Sequence, residues 1–242
     1  MPKNTYKITA KKYIKSGIFT IGIDDAPHKR DKNKNILTKR VNLIFTYCRG
    51  VFLEKVFMAD IDVDGLDATR VVIDVLKRIK ESKTEFSYVL THGITCGGFN
   101  MFDIEEIHKV INVPIIAITE NNPHNIVFKG EDNGSLRSYN EKADFKGTSA
   151  IDTVATFNKK SEFYQAIIKL NNSKERIRVL KNAGKMYETA VEISKNPVYF
   201  YVKGTSVENA RDLIRKLAFR SKLPEPINLA HKIASAFSSI GK

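Results

Sequence analysis

Ile18-Phe19-Thr20-Ile21-Gly22-Ile23-Asp24-Asp25 is an apolar, strand-forming run that ends on two acids. A second stretch, Met58-Ala59-Asp60-Ile61-Asp62-Val63-Asp64-Gly65-Leu66-Asp67-Ala68-Thr69, repeats the theme with Asp60, Asp62 and Asp64. Aspartate has poor strand propensity and an unpaired buried carboxylate is costly, so acids at strand ends face water, a cation or a catalytic task. A hard divalent metal is the simplest partner.

Working outward from Asp25, a polar, basic loop at 27–35 leads to a second strand, Val41 to Cys48. Arg49-Gly50 makes a tight turn, and Val51 to Val63 continues extended. These three segments predict an antiparallel meander. The period then changes, because Val71, Val72, Val75, Leu76 and Ile79 recur at helical spacing over Ala68 to Ser82, with Asp67 as N-cap. Phe86 to Thr91 reads as a strand, Asp103 to Val110 as a helix and Val113 to Thr119 as a strand, the strand–helix–strand connection of a parallel region. Residues 121–157, rich in Asn, Asp, Gly, Ser and Lys, predict a long loop or insertion. Helices at Phe163 to Leu170, Ser206 to Phe219 and Pro226 to Ile240, with a strand at Pro197 to Lys203, complete the pattern. The expectation is one α/β domain over 1–242. Its mixed sheet has three antiparallel strands followed by parallel ones, is flanked by helices and carries a C-terminal helical layer, which is the ribonuclease H-like order.

The net charge of +13 gathers in residues 1–40 and 159–222, while 41–158 is net acidic. Positive flanks around an acidic centre suit a protein that attracts a polyanion and holds a cation at a reacting phosphate. A lysine-rich, solvated surface gives the same total without any ligand. Cys48 and Cys96 have neither CxxC spacing nor companions, which argues for buried thiols over a disulfide framework or zinc site. No long apolar run and no leader are expected, so the reading is cytoplasmic, away from membranes.

Four blocks carry a family resemblance: Ile21 to Pro27, Asp62 to Thr69, His92-Gly93-Ile94-Thr95-Cys96-Gly97-Gly98-Phe99-Asn100-Met101-Phe102-Asp103, and Leu223-Pro224-Glu225-Pro226-Ile227-Asn228-Leu229-Ala230-His231. In that order they resemble the signatures of the archaeal endonuclease dU family, distantly similar to endonuclease V. The resemblance implies a ribonuclease H-like nuclease of DNA repair that nicks DNA at or near a deaminated base, deoxyuridine or deoxyinosine, with Mg²⁺ or Mn²⁺. Two positions depart from it. His92 stands where endonuclease V carries its third metal-binding acid, and Asn228 stands where the family usually has arginine.

Within this frame Asp24 is the first candidate ligand, because the last residue of the central strand is where the fold places its essential acid. Asp64 is the second, projected by the turn at Gly65; Asp62 alternates with it on one face. Asp25 is also a candidate ligand, although it points to the opposite side of a continuing strand, where bracing the turn is the alternative. Asp67 and Asp103 are further candidate ligands, with the N-cap as the commoner role for each. His92 is a candidate general acid or phosphate contact, with a structural histidine as the alternative. Gly97, Gly98, Phe99 and Asn100 form a Gly-rich loop able to cradle a phosphate or admit an extruded base, or simply to turn tightly. His231 reaches the site only if the last helix packs over the sheet edge. The expected partner is nucleic acid, DNA with a damaged base. Two other readings stay open: a non-catalytic nucleic-acid-binding accessory protein, and another metal-dependent phosphoryl-transfer enzyme.

Overall fold

A computed structural model describes residues 17–29, 37–122 and 159–237. The elements in chain order are β1 (Phe19–Asp25), β2 (Arg40–Arg49), β3 (Phe52–Asp62), α1 (Ala68–Glu81), β4 (Tyr88–His92), β5 (Thr95–Cys96), β6 (Asn100–Met101), α2 (Ile104–Ile111) and β7 (Ile115–Thr119), then α3 (Glu162–Ile168), α4 (Ser173–Ala183), β8 (Tyr187–Val191), β9 (Ser194–Lys203), α5 (Val207–Leu217) and α6 (Glu225–Phe237). The long loop expected at 121–157 lies outside the described residues from 123 onward. Among the described residues no helix is long and apolar enough to cross a membrane.

Seven strands form one sheet in the order β3-β2-β1-β4-β7-β9-β8. β1, β2 and β3 pair antiparallel, β1, β4 and β7 parallel, and β9 and β8 close the other edge antiparallel. This is the ribonuclease H-like mixed sheet that the period changes predicted. The strand expected from Pro197 begins at Ser194 and is paired by β8, which the sequence reading left out along with α4. The Gly-rich stretch expected as a loop folds as the short β5–β6 hairpin.

Two apolar clusters sandwich the sheet. Ile21 and Ile23 of β1 enter the larger one with Val72 and Leu76 of α1 and Ile107 of α2, while Leu90, Ile116 and Ile118 join the smaller one with Leu213, Ile214 and Ile227. Side chains alternate along a strand, so Gly22 and Asp24 face the side of β1 that Ile21 and Ile23 do not. That side is covered by α6, whose N-terminal turn lies directly on Gly22. A Cβ at Gly22 would sit 2.3 Å from the carbonyl carbon of Pro226. Thr46, which pairs with Gly22, donates its hydroxyl to the Pro226 carbonyl at 2.7 Å and so fixes the same approach from β2.

At the head of α6 the fully buried Glu225 accepts from Arg220 Nε at 2.8 Å and from Asn228 Nδ2 at 3.2 Å. A buried carboxylate needs such partners. Asn228 is thus turned to its own helix cap.

Gly22→Ala places a methyl group against backbone that cannot swing away. The expected outcome is a loss of about 3 kcal/mol and a melting temperature lower by roughly 6–10 °C, read by circular dichroism. A variant melting within a degree of the parent would contradict the contact.

Candidate functional site

Parallel pairing brings the first two residues of the site together. Ile23 is in register with Thr91. One residue further, Asp24, the last but one of β1, and His92, the last of β4, stand side by side on the same face. The last helix supplies the third. From Pro226 to His231 an α-helix rises about 7.5 Å, and from Gly22 to Asp24 a strand rises roughly 6.6 Å, so a helix seated on Gly22 sets His231 over Asp24. The contacts agree: Asp24 Oδ2 lies 3.1 Å from His92 Nδ1 and 2.8 Å from His231 Nδ1. The two imidazoles meet edge to face with centroids 5.9 Å apart. Asp24 is only 4 % exposed, and its other oxygen accepts the Asp25 N–H at 2.9 Å.

Among the described residues, Asp24, His92 and His231 are the group of three whose ligand atoms all lie within 4.8 Å of one another. Each offers one oxygen or nitrogen. Burial alone would depress the His92 imidazole, but the hydrogen bond and charge of Asp24, with the charges of Glu120 and Asp25, outweigh it and hold the ring above its ordinary pKa.

The remaining acids go elsewhere. Asp25 points through the opposite face, where its Oδ2 accepts the Gly97 N–H at 2.9 Å. Burial foremost, then the charge of Asp24, push its carboxyl up to about 6, against the pull of the Gly97 N–H and of His92. Asp64 sits in the left-handed region at φ 54° and accepts the Phe99 N–H at 2.8 Å, so it does not join the group around Asp24. Asp62 is exposed, with Arg40 Nε at 3.5 Å. Asp67 occupies the first position before α1 but makes no side-chain cap there; it accepts from Asn100 Nδ2 at 2.6 Å and from the Asp62 N–H at 3.2 Å. The cap comes from Asn100 instead, whose Oδ1 accepts the Ala68 N–H at 3.1 Å. Asp103 caps α2 through Glu106 N–H at 3.1 Å, and its other oxygen takes Arg178 Nη1 at 3.2 Å and Asn182 Nδ2 at 2.8 Å.

The Gly-rich loop is the turn of the β5–β6 hairpin, with Gly97 at φ 49° and Gly98 at φ 84°, backbone that a side chain strains. Its N–H groups at 97 and 99 are given to Asp25 and Asp64, so the loop is pinned by this chain's own acids. Phe99 packs on Phe163 at 6.2 Å, and Asn100 is wholly buried. None of the four is turned to the Asp24 group by a contact in the structure.

One residue that sequence reasoning passed over organises this second layer. Arg176 of α4, 2 % exposed, donates to the carbonyls of Phe99 at 2.9 Å, Asn171 at 2.6 Å and Gly65 at 3.1 Å, and to that of Asp64. It clamps the carboxylate turn to the Gly-rich loop. The signal was present: Arg176, Val179, Leu180 and Ala183 form the buried stripe of α4, but its first position is charged.

The profile of the family described as Endonuclease dU matches residues 16–130 and 146–238. The chain belongs to the endonuclease dU family. Relatives include UPF0215 proteins of Methanosarcina mazei, 27 % identical over 93 % of either chain, and of Methanosarcina barkeri, 29 % identical over 92 % of either. Among solved structures, a protein of unknown function from Archaeoglobus fulgidus superposes with TM-score 0.62 at 22 % identity, covering 91 % of this chain and 98 % of that one. Endonuclease V of Ciona intestinalis, in complex with a 23mer DNA containing an inosine followed by a ribo-adenosine, superposes with TM-score 0.52 at 12 % identity, covering 93 % and 87 %. These likenesses establish the ribonuclease H-like fold and the family.

Asp25 supplies a pH test of the metal-free protein. Its folded pKa of about 6 lies above the ordinary 3.8, so the stability tied to its proton is complete below about pH 3.8 and is lost as pH rises through 6. Asp25→Asn keeps the neutral form at every pH. Thermal melts should therefore favour the variant at pH 7.5 and bring it level with the parent at pH 4.

Proposed function

We propose that this protein is a divalent-metal-dependent endonuclease that cuts DNA at or beside a deaminated base, with Asp24, His92 and His231 as its metal-holding residues. The observation that carries the reading is their convergence at one rim of the sheet, at ligand spacing, in a member of the endonuclease dU family. The nature of the target is supported by the family description and by the inosine-containing DNA in the related endonuclease V complex.

The donors suit a divalent ion. Adjacent ligands at right angles about an ion with bonds of about 2.1 Å lie roughly 3.0 Å apart, and Asp24 Oδ2 lies 2.8 and 3.1 Å from the two imidazole nitrogens. A bound divalent ion supplies an activated water and neutralises charge on the leaving oxygen of the phosphodiester. The chain's own groups do the positioning. Asp24, nearly buried, provides the fixed anion. Both imidazoles present Nδ1 to it, and since a carboxylate only accepts, each donates there when no ion is bound, leaving Nε2 as the atom that can give or take a proton. The basic segments flanking the acidic centre attract the DNA backbone from a distance.

A second reading, a nucleic-acid-binding protein without cleavage, is favoured by one observation: the Gly-rich loop N–H groups of Phe99 and Gly97 are given to Asp64 and Asp25 rather than presented to a ligand.

Duplexes with a single deoxyuridine or deoxyinosine, incubated with Mn²⁺ or Mg²⁺, separate the two. Nicking that Asp24→Ala lowers by at least about 10³-fold, equivalent to several kcal/mol of transition-state stabilisation, is the expected result, with salt-sensitive DNA binding retained by the variant. Tight, salt-sensitive binding with no nicking by the parent protein would establish the second reading.

A further inference from the structure

The geometry points to a site that prefers an imidazole-binding transition-metal ion, Co²⁺ or Zn²⁺ with Mn²⁺ next, over Mg²⁺, and that takes this preference from His92. The inference rests on the metal-site reading above and concerns which ion that site accepts.

Mg²⁺ is a hard cation that demands oxygen ligands in near-octahedral order and sheds water reluctantly, whereas imidazole suits the later first-row ions. The decisive quantity is therefore how many protein oxygens the site offers. Asp24 offers one free carboxylate oxygen, and the two other donors of the group are nitrogens.

Among the described residues, the acids on the neighbouring segments have partners of their own. Asp25 is turned to the other face onto Gly97 N–H, Asp64 accepts Phe99 N–H, and Asp67 accepts Asn100 Nδ2. Glu120, whose charge reaches His92, has Lys222 Nζ 3.7 Å from its carboxylate. While those hydrogen bonds stand, none of Asp25, Asp64 and Asp67 gives an oxygen to the group; Glu120 keeps only the looser ion pair. The position of His92 is the one with room for change, since strand register alone sets it beside Asp24. An aspartate there would turn a one-carboxylate, two-imidazole site into a two-carboxylate, one-imidazole site, with the rest of the fold untouched.

The test is calorimetric titration of the full-length protein with CoCl₂, ZnCl₂, MnCl₂ and MgCl₂, on the parent, His92→Asp, His231→Gln and Asp24→Asn. Visible absorption of the Co²⁺ forms reads the ligand set directly, and metal-free thermal melts check that each variant is folded. The parent should bind Co²⁺ at least 100-fold more tightly than Mg²⁺. His92→Asp should shrink that ratio by tenfold or more, chiefly by weaker Co²⁺ and stronger Mg²⁺ binding, and should alter the Co²⁺ spectrum. A parent that binds Mg²⁺ within tenfold of Co²⁺, or a ratio and spectrum indifferent to His92→Asp in a folded variant, overturns the inference. Should His92→Asp not fold, the parent ratio and the spectral change in His231→Gln decide. Mg²⁺ bound tightly through Asp24, with nicking, overturns the selectivity and leaves the nuclease reading intact. If Asp24→Asn removes no ion binding at all, both fall.

Discussion

The close approach of α6 to β1 at Gly22 is the constraint on which the site hangs. A helix laid on a sheet normally stands about 10 Å away, held off by side chains on both sides. Here the strand offers no side chain and the helix begins with its backbone in contact, a separation that only glycine permits. The consequence is felt two residues along the strand and five along the helix. Asp24 and His231 come within 2.8 Å although 207 positions separate them in the chain. Thr46, bonded to the Pro226 carbonyl, and the buried Glu225 with Arg220 and Asn228 hold the helix end in that seat. The ends of the sequence are thus joined at one carboxylate.

The strand pleat then divides the acids. Adjacent residues face opposite ways, so Asp24 and Asp25 serve different neighbourhoods from one strand end. Asp24 meets two imidazoles. Asp25 meets the hairpin turn at Gly97, which is bonded in its own turn to Asp64, and Arg176 binds the backbone of both segments from below. Asp64 N–H donates to the Gly97 carbonyl at 2.8 Å while Asp64 Oδ1 accepts from Phe99, so loop and turn are stitched from both directions. Acids that stand close together in the sequence separate in space: Asp24 meets the two imidazoles, while Asp25, Asp64 and Asp67 are bonded into the loop and turn behind it.

The fold was legible because the pattern changes period at the right places. Alternation and buried runs through β1, β2 and β3, helical spacing from Val71 to Ile79, and the apolar β4 and β7 around α2 leave few topologies that bury every apolar face. Elements at the far edge were less so. β8, Tyr187-Glu188-Thr189-Ala190-Val191, is half polar, and α4 hides its stripe behind a buried arginine, because a guanidinium satisfied by four carbonyls counts as core although its type says surface. In the site, Asp24 was readable from its place at a strand end. His231 was readable only as a condition, since nothing local says which face of a sheet a helix 200 residues later will cover. Asn100 replaces Asp67 as the cap of α1 for a physical reason: once the β5–β6 turn sets Asn100 against the start of α1, its amide oxygen reaches the Ala68 N–H and its nitrogen occupies Asp67, and an amide can do both where a carboxylate cannot.

That replacement bears on how much of the acidic cluster chemistry can use. A carboxylate accepting a short bond from a buried amide, as Asp67 does, or an N–H from a turn held by glycines of positive φ, as Asp25 and Asp64 do, gives up a partner before it can bind an ion. Asp24 differs in kind. Its free oxygen faces only two imidazoles, groups that exchange a proton for a metal ion without leaving the carboxylate stranded in an apolar site. One His from the neighbouring strand and one from the covering helix can therefore keep a nearly buried aspartate satisfied in either condition. Replacing both by apolar residues would leave an uncompensated buried charge, a cost of several kcal/mol that the protein could relieve only by protonating Asp24 and with it losing the anion on which the rim depends.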